Sequence, residues 1–157
     1  MGTFWQNEDG LTVSFGTTAT VKNIPGVVNT EGFGDVMVTE VDATTVTTSL
    51  PENYENGAYI PAGALIESAQ IVVSTTFDSA GDTATLSVST YDEDGNVDTA
   101  GGIDSAVAEA DLAAGDVIAC DGSLIGTVVS ENLYVGLVYG TEAFTAGEAR
   151  LVIKYSK

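Results

Sequence analysis

The sequence predicts an all-β fold, a β-sandwich of jelly-roll type with an extended N-terminal arm. The chain is rich in Thr, Val and Gly, several segments alternate apolar with polar residues, and short Gly-containing links separate them. Thr and Val are β-branched and suit a pleated surface, and alternation with a period of two turns one face of a strand towards the core. About seven to nine short strands separated by frequent turns are typical of a sandwich.

The clearest alternation lies in the C-terminal strand. Its apolar side carries Gly147, Ala149, Leu151, Ile153 and Tyr155. Residues 65–77 alternate in the same way, and so do residues 84–89. Because only the short polar link 78–82 separates these two segments, they are predicted to form an antiparallel hairpin.

Other segments predict the remaining elements. Residues 133–139 are apolar on both faces, which predicts a central strand covered on two sides, or on one side by a partner chain. Shorter strand signals occur at residues 11–15, 18–22, 36–46, 117–120 and 124–129. Residues 104–112 are rich in Ala and begin with an Asp of the capping type, so a short helix or helical loop is predicted there.

The length of 157 residues indicates one domain with a soft internal boundary. Residues 1–50 are predicted to form an N-terminal arm and the first strands, packed on the sandwich or on a neighbouring protein. Residues 51–157 carry most of the periodic strands and are predicted to form the sandwich core.

The charge balance excludes several classes of function. Four Lys and Arg face 23 Asp and Glu, which gives a net charge of −19. Such a chain cannot neutralise a nucleic-acid backbone and is repelled by an anionic membrane. No stretch reaches the roughly 18 apolar residues that span a bilayer, and the N-terminus lacks the basic start of a secretory signal. We therefore expect neither nucleic acid nor membrane as a partner, and synthesis in the cytoplasm without export.

The residue inventory also argues against catalysis. Histidine is absent, which removes the commonest general base and the usual zinc ligand. Cys120 is the single cysteine, so an internal disulfide and a paired-cysteine metal site are excluded. We expect Cys120 to be a small buried residue, and we predict no enzyme activity, no catalytic residues and no cofactor.

One acidic segment is a weak candidate for a metal site. Asp92, Asp94, Asn96 and Asp98 place oxygen atoms on alternate residues, as a calcium loop requires. The EF-hand pattern fails, because Val97 stands where that loop has glycine and Ile103 where it has a bidentate carboxylate. The other interpretation is a solvated turn, so no metal is predicted.

Two further features have alternative interpretations. The only tryptophan, Trp5, either folds back on the core or anchors the chain in a partner, since Trp is enriched at binding hot spots. Three of the four cations, Arg150, Lys154 and Lys157, lie in the last strand and tail. They either mark a face that meets an acidic neighbour or protect a sheet edge from aggregation.

Several segments together resemble a known family. They are residues 60–67 with the following strand and Phe77-Asp78, residues 84–89, Asp94-Gly95, residues 144–155 and the N-terminal residues 7–16. Most of these segments resemble a pattern common in structural proteins of tailed bacteriophages, and residues 7–16 are similar to the opening of their small head decoration (cement) proteins, including those of cyanophages. Val88-Ser89 stands where Val-Gly is expected, a small departure. The resemblance implies a β-sandwich bound in many copies to the outside of an icosahedral capsid, reinforcing the lattice without catalysis.

The resemblance also implies a partner, the major capsid protein, and self-association as a dimer or trimer on the virion. We expect the capsid contact to be apolar and backbone-mediated, and its first candidates are Phe4, Trp5, Leu11, Val13 and Phe15. The alternative function is a phage fibre, spike or other surface module that binds carbohydrate or a receptor. An exposed cluster among Tyr54, Tyr59, Tyr134 and Tyr139 would favour that alternative, and a third class is a calcium-dependent adhesin domain.

Overall fold

The regular structure of the chain is almost entirely β-strand. The computed structural model describes residues 35–43, 46 and 59–157, and the backbone of residues 3–6, 12–15 and 27–28. The strands of this part are β1 (Thr3–Gln6), β2 (Thr12–Phe15), β3 (Val27–Val28), β4 (Asp35–Asp42), β5 (Tyr59–Ile60), β6 (Leu65–Ser79), β7 (Thr85–Tyr91), β8 (Val97–Ala108), β9 (Val117–Ala119), β10 (Leu133–Gly140) and β11 (Phe144–Ser156). Within the described residues, the one helical segment is a 3-10 turn, Glu109–Asp111, which follows β8. The predicted all-β class is confirmed.

The strands pair into three antiparallel sheets. β1 and β2 form a hairpin, the second sheet has the order β5-β10-β7-β8, and the third has the order β3-β4-β11-β6-β9. One hydrophobic core joins the two larger sheets. It contains the fully buried Leu86, Val88 and Ile103 of the four-stranded sheet and Ile71, Leu151 and Ile153 of the five-stranded sheet. The predicted β-sandwich is thereby confirmed, whereas its jelly-roll connectivity stays a prediction.

Strand β11 is the middle strand of the five-stranded sheet. Its residues alternate between buried and exposed as predicted, and Val152 is the half-buried exception. On the outer face, Arg150 lies 3.1 Å from Glu40 of β4, and Lys154 lies 2.7 Å from Glu67 of β6. The edges of this sheet are β3 and β9, so the suggestion that these cations protect a sheet edge is wrong.

The predicted hairpin of residues 65–77 and 84–89 is wrong. β6 pairs with β11 and β9, whereas β7 pairs with β10 and β8, so the link between them crosses from one sheet to the other. Alternation reports which side of a strand faces the core, but it does not report the pairing partner. Two consecutive strands on opposite sides of one core therefore give the same pattern as a hairpin.

The predicted helix at residues 104–112 is also largely wrong. Residues up to Ala108 belong to β8, and only the 3-10 turn remains of the helical segment. Helix propensity is a weak preference that tertiary packing overrides, and here Ile103, Asp104 and Leu112 are buried. Residues 124–129 form turns with an isolated bridge from Val128 to Leu65, instead of the predicted strand.

The remaining predictions of position have mixed outcomes. β10 is an inner strand between β5 and β7, which confirms its predicted place within a sheet, whereas the covering of its outer face by a partner chain stays a prediction. Residues 18–22 and the predicted boundary at residue 50 lie outside the described residues. β3 and β4, which precede that boundary, pair into the five-stranded sheet. No helix in the described part of the chain is long and apolar enough to cross a membrane.

Candidate interaction surfaces

Four of the five predicted capsid-contact residues lie in the N-terminal hairpin. Antiparallel pairing places Trp5 opposite Val13 and Phe4 opposite Ser14, with Phe15 opposite Thr3. Leu11 lies outside the described residues. This pairing is not evident from the sequence, although four of the paired residues are among the contact candidates that the sequence suggests. The role of the hairpin stays a prediction.

The candidate calcium residues form the turn between β7 and β8. The Asp92 carboxylate accepts hydrogen bonds from the Asp94 amide at 2.9 Å, from the Asn96 amide at 2.8 Å and from the Asn96 side chain at 3.0 Å. These bonds lower the pKa of Asp92, the Asn96 side chain contributing most. Asp98 instead accepts from the hydroxyls of Thr90 and Thr99. The Asp92 carboxylate thus stabilises the turn, and the Asp98 carboxylate binds the hydroxyls of the strands beside it.

A different acidic group lies where the chain crosses between the sheets. Oxygen atoms of Asp78, Asp82 and Glu109 all lie within 4.8 Å of one another, a spacing that a cation could bridge. Glu109 is buried, and its two oxygens accept hydrogen bonds from the amide and the hydroxyl of Ser79 at 3.0 and 2.5 Å. This group could not be predicted from the sequence, because its members are up to 31 positions apart and come together only where the chain crosses between the sheets.

The same crossing is held by Glu142 from the turn between β10 and β11. Its Oε1 accepts hydrogen bonds from the Gly81 amide at 3.1 Å, the Thr83 amide at 3.0 Å and the Thr83 hydroxyl at 2.7 Å. The Thr83 bonds are the main cause of its lowered pKa. A carboxylate is therefore a structural part of the link between the two sheets.

Cys120 is buried next to another buried acid. Only 4% of Asp104 is exposed, one of its oxygens accepts from the Ser105 amide at 2.8 Å, and the carboxyl group also interacts with the Cys120 thiol. Burial raises the pKa of Asp104. Burial, followed by the charge of Asp104, raises the pKa of Cys120 to about 12. Nucleophilic thiol chemistry needs a thiolate, so this environment suits an inert structural cysteine.

Two of the four tyrosines singled out in the sequence form a surface pair. Tyr59 of β5 is 37% exposed and lies opposite Tyr134 of β10, with ring centroids 5.9 Å apart and planes tilted by 37°. Tyr139 instead packs, half-buried, against the core, and Tyr54 lies outside the described residues. Tyr134 also lies opposite Tyr91 of β7, which the sequence analysis did not single out.

Comparison with known proteins identifies the fold. No family model matches the chain, and no curated protein matches it either. A chain of the solved structure "Capsid of Ralstonia phage GP4" superposes with a TM-score of 0.55 at 19% identity, over 86% of this chain and 92% of that one. A chain of "Cyanophage Pam1 capsid asymmetric unit" superposes with a TM-score of 0.54 at 22% identity, over 88% and 96%. This protein therefore has a fold that is found in two phage capsids.

Proposed function

We propose that the chain is a structural protein of a bacteriophage virion, which binds the outer surface of an icosahedral capsid in many copies and stabilises its lattice. The observation that carries this proposal is the shared fold. It extends over 92% and 96% of two chains from phage capsids, so those chains contain little beyond the fold found here. The sequence resemblance to head decoration proteins points to the same role independently of the superposition.

The chemistry of the chain is compatible with this role. A net charge of −19 keeps a protein soluble and suppresses promiscuous contacts when many copies are crowded on one particle. The role requires a rigid body and contact surfaces, and it requires neither catalysis nor a cofactor. We propose the major capsid protein as the partner, with self-association as a dimer or trimer on the particle.

In the proposed mechanism each copy contacts more than one capsid subunit, so that modest interfaces add up through avidity. The N-terminal hairpin is the first candidate for such a contact. In the described part of the chain, β1 and β2 pair only with each other and contribute no strand to the larger sheets. Deleting residues 1–16 is therefore expected to abolish capsid binding while the sandwich keeps its circular dichroism spectrum. Undiminished binding by the truncated protein would contradict this assignment.

The decisive measurement is the number of copies per virion. Quantitative mass spectrometry of purified particles would count this chain against the major capsid protein. We expect a ratio near one or a simple fraction of it, as for a lattice component. Labelling by an antibody on intact particles would then place the chain on the outside. Absence of the chain from particles would overturn the proposal.

The second candidate function is a fibre or spike module that binds carbohydrate or a receptor. The partly exposed pair of Tyr59 and Tyr134 favours it, because aromatic rings on an exposed sheet are common contact sites for ligands. The same mass spectrometry separates the two functions, since a fibre or spike is present in only a few copies per particle.

A further inference from the structure

A row of apolar side chains crosses the outer face of the four-stranded sheet. Cross-strand pairing aligns Tyr59 with Tyr134, Tyr134 with Tyr91, and Tyr91 with Val97, so that each of the four strands contributes one residue. Tyr91 is buried and yet does not belong to the cluster of core residues, as expected for a ring covered by its neighbours on the outer side. Val97 is 57% exposed at the far end. We call these four residues the tyrosine row.

A groove of about 360 Å³ runs beside the tyrosine row. Its lining includes Tyr91, Val97 and Val138 together with several small residues. Among these, the hydroxyls of Ser87 and Ser89 accept hydrogen bonds from the amides of Ala106 and Gly101 on the bulged strand β8. Because the backbone of β8 already engages these two hydroxyl oxygens, the groove offers a shallow and mainly apolar seat for small or aliphatic side chains.

The charged side chains around this face are all negative. Residues 59–149, which include the whole four-stranded sheet, contain no Lys or Arg. The strands of the tyrosine row lead directly into an acidic pocket of about 370 Å³, whose lining includes Asp92, Glu93, Asp94 and Glu131. Each tyrosine of the row lies within three positions, along the chain, of a residue that lines this pocket. The pairs are Tyr91 and Asp92, Tyr134 and Asn132, and Tyr59 and Ala62. Aromatic rings and carboxylates on one surface are complementary to a cation.

We infer that this face docks a cationic segment of the shell protein, one that carries a lysine or arginine next to small aliphatic residues. The cation would lie over the Tyr59 ring and towards Asp94 and Glu131, while the aliphatic residues occupy the groove. This inference rests on the proposed function, and it adds which kind of side chains the shell protein presents to this face. A sugar is less well matched, because the tilt of 37° between Tyr59 and Tyr134 leaves no flat platform across the two rings.

The test measures binding of the full chain to shells assembled from the major capsid protein without it. The variants are Tyr59→Ala, its conservative control Tyr59→Phe, and the double variant D94N/E131Q. The matched control D111N/E148Q removes the same two charges from exposed positions outside the tyrosine row and acidic pocket. Asp94 and Glu131 are exposed side chains, so their neutralisation leaves a folded protein even if Tyr59→Ala loosens the short strand β5.

We expect D94N/E131Q to weaken binding about tenfold at low salt, and we expect this difference to shrink at about 0.5 M NaCl as the charges are screened. Tyr59→Ala should weaken binding roughly fivefold, whereas Tyr59→Phe, which keeps the ring, should bind like the wild type. Equal binding by D94N/E131Q and D111N/E148Q would overturn the inference and leave the proposed function standing. Binding that neutral oligosaccharides abolish and salt does not affect would also overturn the inference. Failure of the wild-type chain to bind any shell would instead count against the proposed function.

Discussion

Replacing Gly147 by alanine is expected to destabilise the sandwich strongly. Gly147 has φ +134°, and a Cβ atom placed on it would overlap Cγ and Cδ1 of Phe77 and lie 2.8 Å from its Cα. Phe77 is 2% exposed and packs edge-on against Phe144, with ring centroids 5.0 Å apart, so the ring has little room to move. The strained backbone costs about 1–3 kcal/mol and the overpacking about 1–3 kcal/mol. We therefore expect the free energy of unfolding to fall by about 2–6 kcal/mol.

Gly63→Ala is the matched control, because Gly63 also has positive φ, +83°, but a Cβ atom added to it would have no other atom within 4 Å. It should lose only the backbone cost of about 1–2 kcal/mol. Thermal and urea unfolding followed by circular dichroism measure both variants. At about 2–4 °C per kcal/mol, Gly147→Ala should lower Tm by roughly 4–24 °C and Gly63→Ala by roughly 2–8 °C. Equal losses in the two variants would refute the packing argument.

Three further predictions concern carboxylates. Glu142→Gln should destabilise the protein at neutral pH. Because the pKa of Glu142 is lowered from 4.5, the difference in stability from the wild type should vanish as pH falls through that lowered pKa. A difference that persists in acid would contradict a stabilising role of the Glu142 charge. Asp104→Asn should raise the free energy of unfolding at pH 7 by about 1 kcal/mol, since it removes a charge that burial disfavours. Because the pKa of Asp104 is raised from 3.8, this gain in stability should fade as pH falls towards 3.8. Urea unfolding at several pH values measures it, and a gain that stays constant down to pH 3.8 would contradict the prediction. A calcium chelator should leave Tm unchanged, because turn hydrogen bonds already engage Asp92; a lower Tm after chelation would instead support a calcium site.

The sequence predicts well what depends on local periodicity. The alternation in β11 correctly identifies its buried side, and the apolar character of residues 133–139 correctly places β10 inside a sheet. Both results follow because the environment of a strand leaves a direct pattern in its own residues. The pairing of β6 with β11 leaves no such pattern, since the partners lie between 65 and 91 residues apart along the chain.

The candidate surfaces also differ in whether they depend on local or on long-range contacts. The turn at Asp92 is contained within five residues, and its interpretation as a turn could be reached from the sequence. The acidic group of Asp78, Asp82 and Glu109 could not, because it depends on where the chain crosses between sheets. Long-range register is therefore the information that a single sequence lacks.

The tyrosines show how much of a surface local geometry can still predict. Tyr134 and Tyr139 lie on one strand with an odd spacing of five, so period-two alternation alone requires them on opposite faces. That rule separates the core-packed Tyr139 from Tyr134 without any structure. It cannot supply Tyr59 and Tyr91, which join Tyr134 only through cross-strand pairing. A row built from three distant segments depends on the register of the whole sheet, so any partner that recognises the row also recognises the correctly folded sandwich.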